Sequence, residues 1–148
     1  LIEVFPTMTV FRPKAFLLDM DGVLYHGDRP LPAARRFLAA IADRPHVFLT
    51  NNPIVTPERV ADRLARMAFN RPAPEQILTS AEATADWLAA RRPRFRYFAV
   101  GGAGLHLALR DKGREDPERA DFVVVGEGPG LDYESLTTGI NLILKRGA

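Results

Sequence analysis

Short apolar runs punctuate this chain, and each stops abruptly at polar residues or glycine. Ala15-Phe16-Leu17-Leu18 breaks into Asp19-Met20-Asp21-Gly22, and Val47-Phe48-Leu49 breaks into Thr50-Asn51-Asn52. Ile77-Leu78 reaches Thr79, Tyr97 to Val100 reaches Gly101-Gly102-Ala103-Gly104, and Asp121 to Val125 reaches Gly126. Runs of this length bounded by turn residues are the pattern of buried strands. Helical signals fill the gaps. Pro32 opens a segment in which Phe37, Leu38 and Ile41 recur at helical spacing until Pro45. Thr56 as N-cap, with Pro57 and Glu58 behind it, starts a helix whose apolar stripe is Val60, Leu64 and Met67. Thr79 with Glu82 is a capping box for a helix through Trp87 and Leu88. One further helix ends near Gly113, and a last one runs from about Tyr133 to Lys145 and Gly147. Strand and helix alternating in this way predict an α/β fold, a parallel sheet with helices packed on its faces. In such folds ligands gather at the carboxyl ends of the strands.

Composition narrows what those strand ends can do. A chain of 148 residues, 47% hydrophobic and 26% charged, suits one domain or two small lobes. It has no cysteine, so disulfides, thiolate metal sites and cysteine nucleophiles are excluded, and a cytoplasmic location is the expectation. Apolar runs such as Phe122 to Val125 fall far short of the ~20 residues of a membrane span. Leu1 to Val10 carries Glu3 and Pro6, so no secretory leader is expected there. Net charge is +2, and the one basic cluster is Arg91, Arg92, Arg94 and Arg96, interleaved with Pro93, Phe95 and Tyr97. That cluster could face a phosphate backbone, but a solvated helix end running into a strand explains it more cheaply. No nucleic-acid partner is expected.

At the first strand end, Asp19 and Asp21 are forced close together. Like charges in that arrangement resist joint ionisation, so the pair calls either for a hard cation on carboxylate oxygen or for one protonated member able to act as an acid. Asp21-Gly22 also serves as a plain turn, and the pair alone does not choose between these readings. At the second strand end, Thr50-Asn51-Asn52 offers a hydroxyl, an amide and backbone N–H groups, neutral donors suited to a phosphoryl oxygen, or again a loop before Pro53.

These residues resemble the haloacid dehalogenase superfamily of phosphatases, in the branch of 4-nitrophenylphosphatase and NagD. The resemblance rests on Phe16 to Tyr25 with Gly27, on Leu49-Thr50-Asn51-Asn52, on Leu78-Thr79-Ser80-Ala81, and on Asp121 to Gly126. It implies a Rossmann-like core with a parallel sheet over residues 1–79 and the start of an inserted α/β cap over residues 80–148. It implies a phosphomonoester hydrolase working through an aspartyl phosphate on a small phosphorylated metabolite. Asp19 would be the nucleophile and Asp21 the acid/base. Gly22, Thr50 and Asn51 would receive the phosphoryl group, and Mg2+ would be held by Asp19 and the main-chain carbonyl of Asp21. Val23 to Gly27, with His26, would form a flap, and homo-oligomers would form through the cap. His46 and His106 match no motif and are expected to be structural.

The Gly101 to Gly104 turn invites a rival, a dinucleotide fingerprint, but counting from Gly102 and Gly104 the third glycine is replaced by Leu107. Asp121 begins its strand and so fails as a ribose-binding acid. The resemblance also implies a later lysine and a later acidic cluster. Lys112 and Lys145 are expected in the last turns of helices, and Asp111, Asp116 and Asp132 in loops or helix ends, so none of them matches. Arg146-Gly147-Ala148 falls in mid-cap, and the expectation is a chain without activity by itself. A non-catalytic phosphate- or partner-binding module and a phosphotransferase built on the same aspartyl phosphate stay open as alternatives.

Overall fold

A computed structural model describes residues 13–148. The expectation for Leu1 to Val10 lies outside the described residues. The strands are β1 (Phe16–Asp19), β2 (Tyr25–His26), β3 (Arg29–Pro30), β4 (His46–Thr50), β5 (Ile77–Thr79), β6 (Arg96–Val100), β7 (Arg114–Glu115) and β8 (Phe122–Val125). The helices are α1 (Ala34–Ala40), α2 (Pro57–Arg66), α3 (Ser80–Arg91), α4 (Ala103–Arg110) and α5 (Tyr133–Arg146). The fold is α/β with parallel sheets, as the alternation predicts.

Two separate three-stranded parallel sheets form, ordered β1-β4-β5 and β7-β6-β8. They divide between Thr79 and Ser80, where a strand runs into a helix with no residue between. Each lobe has its own apolar cluster. In the first lobe Leu18, Phe48 and Ile77 point to one sheet face and pack with Val60, Ala61 and Leu64 of α2 and with Ala34 and Ile41 around α1. The opposite face carries Leu17, Val47, Leu49 and Leu78, and Leu17 is 74% exposed. In the second lobe Ala81, Ala85 and Leu88 of α3 and Leu105 and Leu109 of α4 close over Phe95, Tyr97 and Ala99. Helix α5 covers the other face of that sheet. Its Gly139 lies so near Val123 and Phe98 that a methyl there would stand 3.0 Å from the Val123 side chain.

The helix ends follow local chemistry. Thr79 Oγ1 accepts from the Glu82 N–H at 3.2 Å, as the capping box requires. Burial pushes the Glu82 carboxyl up, against the pull of its bond to the Thr79 backbone. Asp132 caps α5 by accepting from Ser135 N–H at 2.8 Å, and Gly147 closes that helix at φ +70°, a left-handed conformation that favours glycine. Thr56 precedes α2 in an extended conformation, but its hydroxyl makes no capping bond to the helix backbone. That side chain instead holds the Glu58 carboxyl below its ordinary range through a hydrogen bond.

Some readings from sequence need correction. Helix α1 stops at Ala40, short of Pro45, because Ile41 already leaves helical geometry at φ −112° and ψ 9°. Lys112 lies beyond α4, where it pairs with Asp86 of α3 at 2.7 Å and so ties two helices together. The arginine cluster is partly absorbed inward: Asp121, its side chain only 7% exposed, takes Arg96 Nη2 at 2.9 Å and Arg92 Nη1 at 3.1 Å. Lys145 does lie in the last turn of its helix. No helix among the described residues is long and apolar enough to cross a membrane.

Candidate active site

Asp19 is the last residue of β1 and pairs in register with Leu49 of β4, so Thr50 stands one residue further along the neighbouring strand. Parallel pairing of two buried strands thus brings both candidate strand ends to one edge. Asp19 Oδ1 accepts from the N–H of Met20 at 2.9 Å. Met20, 1% exposed, anchors the loop that follows. Its carbonyl accepts from Val23, Leu24 and Tyr25 at 3.2, 2.8 and 3.3 Å, which winds the chain tightly around one oxygen. Gly22 makes the winding feasible at φ +80°, with its N–H donating to the Tyr25 carbonyl at 2.7 Å. Its contribution to the site is therefore room for approach, since its donor is already engaged. Asp21 is thrown outward with its side chain 68% exposed, and His26 Nδ1 stands 3.8 Å from Asp21 Oδ1.

The expected flap, Val23 to Gly27, is the end of that loop and the first strand of a hairpin, β2 to β3, turning at Gly27-Asp28. Sequence reasoning missed the hairpin because two-residue strands carry too little alternation to read. Arg63 of α2 pins it, donating to the Gly27 carbonyl at 2.8 Å and lying 4.8 Å over the Tyr25 ring. Burial pushes the Tyr25 hydroxyl up, Arg63 opposes this, and the charges of Asp21 and Asp19 reinforce it.

At the end of β4, Thr50 Oγ1 accepts from Asn52 N–H at 3.2 Å, which leaves the hydroxyl proton free to donate outward. The Asn51 carbonyl accepts from Ser80 Oγ at 2.8 Å, while the exposed Asn51 carboxamide has no partner among the described residues. Sequence reasoning named Ser80 only within the Leu78 to Ala81 stretch and gave it no role; its adjacency to the helix cap at Thr79 was the available signal. A hollow of about 260 Å³ lies beside this loop, with Asn51, Pro53, Ser80, Thr84 and Glu127 on its walls. A larger cleft, about 480 Å³, lies instead between α2 and the second lobe and touches none of Asp19, Asp21, Gly22, Thr50 and Asn51.

The structure brings together Asp19, Asp21, Gly22, Thr50 and Asn51 on adjacent strand ends, and leaves the other candidates elsewhere. Lys112 is engaged by Asp86, and His106 lies 3.7 Å from Glu115. His46 Nδ1 is 2.8 Å from the Arg44 carbonyl. No group of three acidic or histidine side chains that could hold a metal exists among the described residues. One carboxylate and one main-chain carbonyl suit a hard cation by their oxygen chemistry, but they supply only part of the roughly six-oxygen shell that Mg2+ takes. The N–H groups of Gly102 and Gly104 are bonded to carbonyls within the protein, which closes the dinucleotide reading.

Comparison with known proteins extends these observations. The family model of haloacid dehalogenase-like hydrolases matches residues 16–115. An acid sugar phosphatase of Staphylococcus aureus is 36% identical over 127 residues, covering 83% of this chain and 49% of the relative. The 4-nitrophenylphosphatase of Thermotoga maritima superposes with a TM-score of 0.83 at 32% identity, over 90% of this chain and 52% of that one. A glycerol phosphate phosphatase of Mycobacterium tuberculosis, solved in complex with magnesium, gives 0.82 at 27% identity, over 91% and 42%. The chain spans about half the length of the curated relatives it matches.

Proposed function

The chain belongs to the haloacid dehalogenase-like hydrolases, and from that premise we propose that it carries the nucleophile and phosphoryl-binding half of a phosphomonoester hydrolase. The observation that carries the reading is the register of β1 on β4, which sets Asp19 beside Thr50 and Asn51. A carboxylate nucleophile and a set of neutral donors one strand apart are what in-line attack on a phosphate ester needs.

In this mechanism an Asp19 oxygen attacks phosphorus while the bond from phosphorus to the leaving oxygen breaks, and Asp21 gives that oxygen a proton. The product alcohol departs, and Asp19 is left as an acyl phosphate. Asp21, now a carboxylate, takes a proton from water, whose oxygen attacks phosphorus and frees Asp19 with release of phosphate. Exposure of Asp21 on the loop around Met20 suits an acid that must meet a leaving group arriving from solvent. Thr50 donates its free hydroxyl proton and Asn51 its carboxamide to the phosphoryl oxygens. Asp19 and the Asp21 carbonyl would hold Mg2+, which supplies charge neutralisation between the nucleophile and the phosphate dianion. Support for that ion comes from the oxygen donors here and from the magnesium complex of a relative.

The first and second lobes then take the roles of core (1–79) and cap (80–148). The relatives' names, acid sugar phosphatase and glycerol phosphate phosphatase, favour a small sugar or polyol phosphate as substrate. The 148-residue chain alone is expected to bind Mg2+ weakly and to show negligible turnover, because its donors fill only part of the metal shell. Mass spectrometry after rapid quench of an active assembly of this chain with 4-nitrophenyl phosphate and Mg2+ tests the reading. A phosphoryl adduct on Asp19 is expected. An adduct on any other residue, or phosphate binding that never involves Thr50 and Asn51, refutes it.

A further inference from the structure

The loop leaving β4 is held from the other lobe. Asn52 N–H donates to Thr50 Oγ1 at 3.2 Å, Ile54 N–H donates to Asn52 Oδ1 at 2.8 Å, and Gly104 N–H of α4 donates to the Ile54 carbonyl at 2.9 Å. Three hydrogen bonds therefore run from the hydroxyl that faces the phosphoryl group to the first turn of a helix in the second lobe. Contact at the far end is backbone on backbone. A methyl group on Gly104 would stand 2.7 Å from the Pro53 carbonyl oxygen and 2.8 Å from the Val55 carbonyl. Neither neighbour is the end of a flexible side chain that could swing aside, so any side chain at 104 displaces the loop or the helix. Gly102 reinforces the contact more gently, since a methyl there would meet Ile54 Cα at 3.1 Å.

We propose that Gly104 is a positioning residue for phosphoryl recognition: by letting α4 seat directly on residues 53–55, it holds the Thr50 and Asn51 donors in place from the second lobe. This inference rests on the reading of Thr50 and Asn51 as phosphoryl ligands. Thr50 ends β4 and Asn51 opens the loop after it, and apart from Ser80 Oγ on the Asn51 carbonyl that loop's own side-chain bonds are short-range, so a loop so lightly held samples several conformations. Seating it on a helix of the other lobe removes that freedom before the phosphate arrives, so less is lost on binding. Occupancy by phosphate in turn strengthens the seat of α4, which couples the two lobes through the site.

The test is a titration of the isotope-labelled 148-residue chain with inorganic phosphate, followed at the amide NMR signals of Thr50, Asn51 and Asn52. Gly104→Ala is expected to weaken phosphate by about tenfold, and Gly102→Ala by about threefold, because misplaced donors lose affinity steeply. Leu109→Ala supplies the control, since Leu109 is fully buried in the second lobe and has no part in the relay. It is expected to lower stability while leaving phosphate affinity within about twofold of the parent. Equal weakening by Leu109→Ala, or an unchanged affinity in folded Gly104→Ala, overturns the proposal. Should Gly104→Ala fail to fold, Gly102→Ala decides by the same criterion. If the parent chain's Thr50 to Asn52 signals ignore phosphate, the phosphoryl reading falls and takes this one with it. A parent that responds while both glycine variants respond equally removes this inference alone.

Discussion

The two lobes are built alike and finished differently. Each is a three-stranded parallel sheet of short strands crossed by helices, yet in the first β1 and β4 end in Asp19 and Thr50, while in the second β6 and β8 run out into Gly101 and Gly126. Among the described residues the first sheet is covered on one face, while the other leaves Leu17 exposed. The second is covered on both, by α3 and α4 on one side and α5 on the other. Architecture alone therefore does not make a site. Side chains with lone pairs and protons at a strand's carboxyl end can do chemistry, whereas Gly102 and Gly104, just past the end of β6, let the first lobe's backbone come close.

The sharpest way to break this contrast is to neutralise the first lobe's proposed nucleophile. In any assembly of this chain that hydrolyses 4-nitrophenyl phosphate, Asp19→Asn is expected to lower kcat by at least about a thousandfold. The fold should survive, because the amide oxygen of asparagine can still accept the Met20 N–H that Asp19 accepts now. Unchanged circular dichroism with residual activity within tenfold of the parent would remove Asp19 from the role.

Next in size is Asp21→Asn. Loss of a general base slows hydrolysis of the acyl phosphate by about a hundredfold, while a leaving group as good as 4-nitrophenolate still departs. Phosphorylated Asp19 should accumulate, visible by intact mass after acid quench. Fast turnover without an adduct would assign the base elsewhere.

A third substitution acts on the second lobe alone. Asp121→Ala strips the carboxylate that holds Arg92 and Arg96 and is expected to destabilise that lobe by about 2 to 3 kcal/mol, less than a fully buried pair because both arginines are partly exposed. Thermal unfolding followed at Trp87, on α3, measures it. The bond from Arg96, with Arg92 adding its charge, holds the Asp121 carboxyl below its ordinary range. Its contribution is thus complete above about pH 4 and fades as the pH falls through the lowered folded value. Acid titration should therefore show the variant losing less stability than the parent in that window, the remainder coming from other lowered carboxylates such as Glu58.

The smallest effect belongs to the outer surface of α5, where Tyr133, Leu136, Ile140, Ile143 and Leu144 form an exposed apolar stripe. Ile140→Glu is expected to change stability by less than about 0.5 kcal/mol. It should reduce self-association of the 148-residue chain in sedimentation velocity.

Which parts of this could be read beforehand follows from the range of the interactions involved. Strand ends at Asp19 and Thr50, the Thr79 to Glu82 box and the closure at Gly147 depend on residues a few positions apart, and the sequence displays them openly. The same reading missed β7 and the hairpin, whose strands are two residues long. It also missed the pairing of Asp121 with Arg96 across 25 positions, the union of Lys112 with Asp86, and the bond from Ser80 to the Asn51 carbonyl. Each of those is decided by which elements lie side by side, a property of the assembled fold. Of the candidate site, the sequence offered which residues to propose, whereas the state of each donor, free at Thr50 and engaged at Gly22, became visible only with the hydrogen bonds in place.

The junction between Thr79 and Ser80 can finally be seen as a mechanical joint. One lobe's strand becomes the other lobe's helix without a slack residue, and Thr79 itself is buried and serves as the helix cap. A body attached at a single stiff point can still pivot. Ser80 fastened to the Asn51 carbonyl and Gly104 fastened to the Ile54 carbonyl add two further points of attachment. The three attachments together restrain the second lobe more than the junction does alone. For that lobe to swing aside, the bonds at residues 51 and 54 would have to break first, so the loop proposed to grip a phosphate would also be the bolt that fastens one lobe to the other.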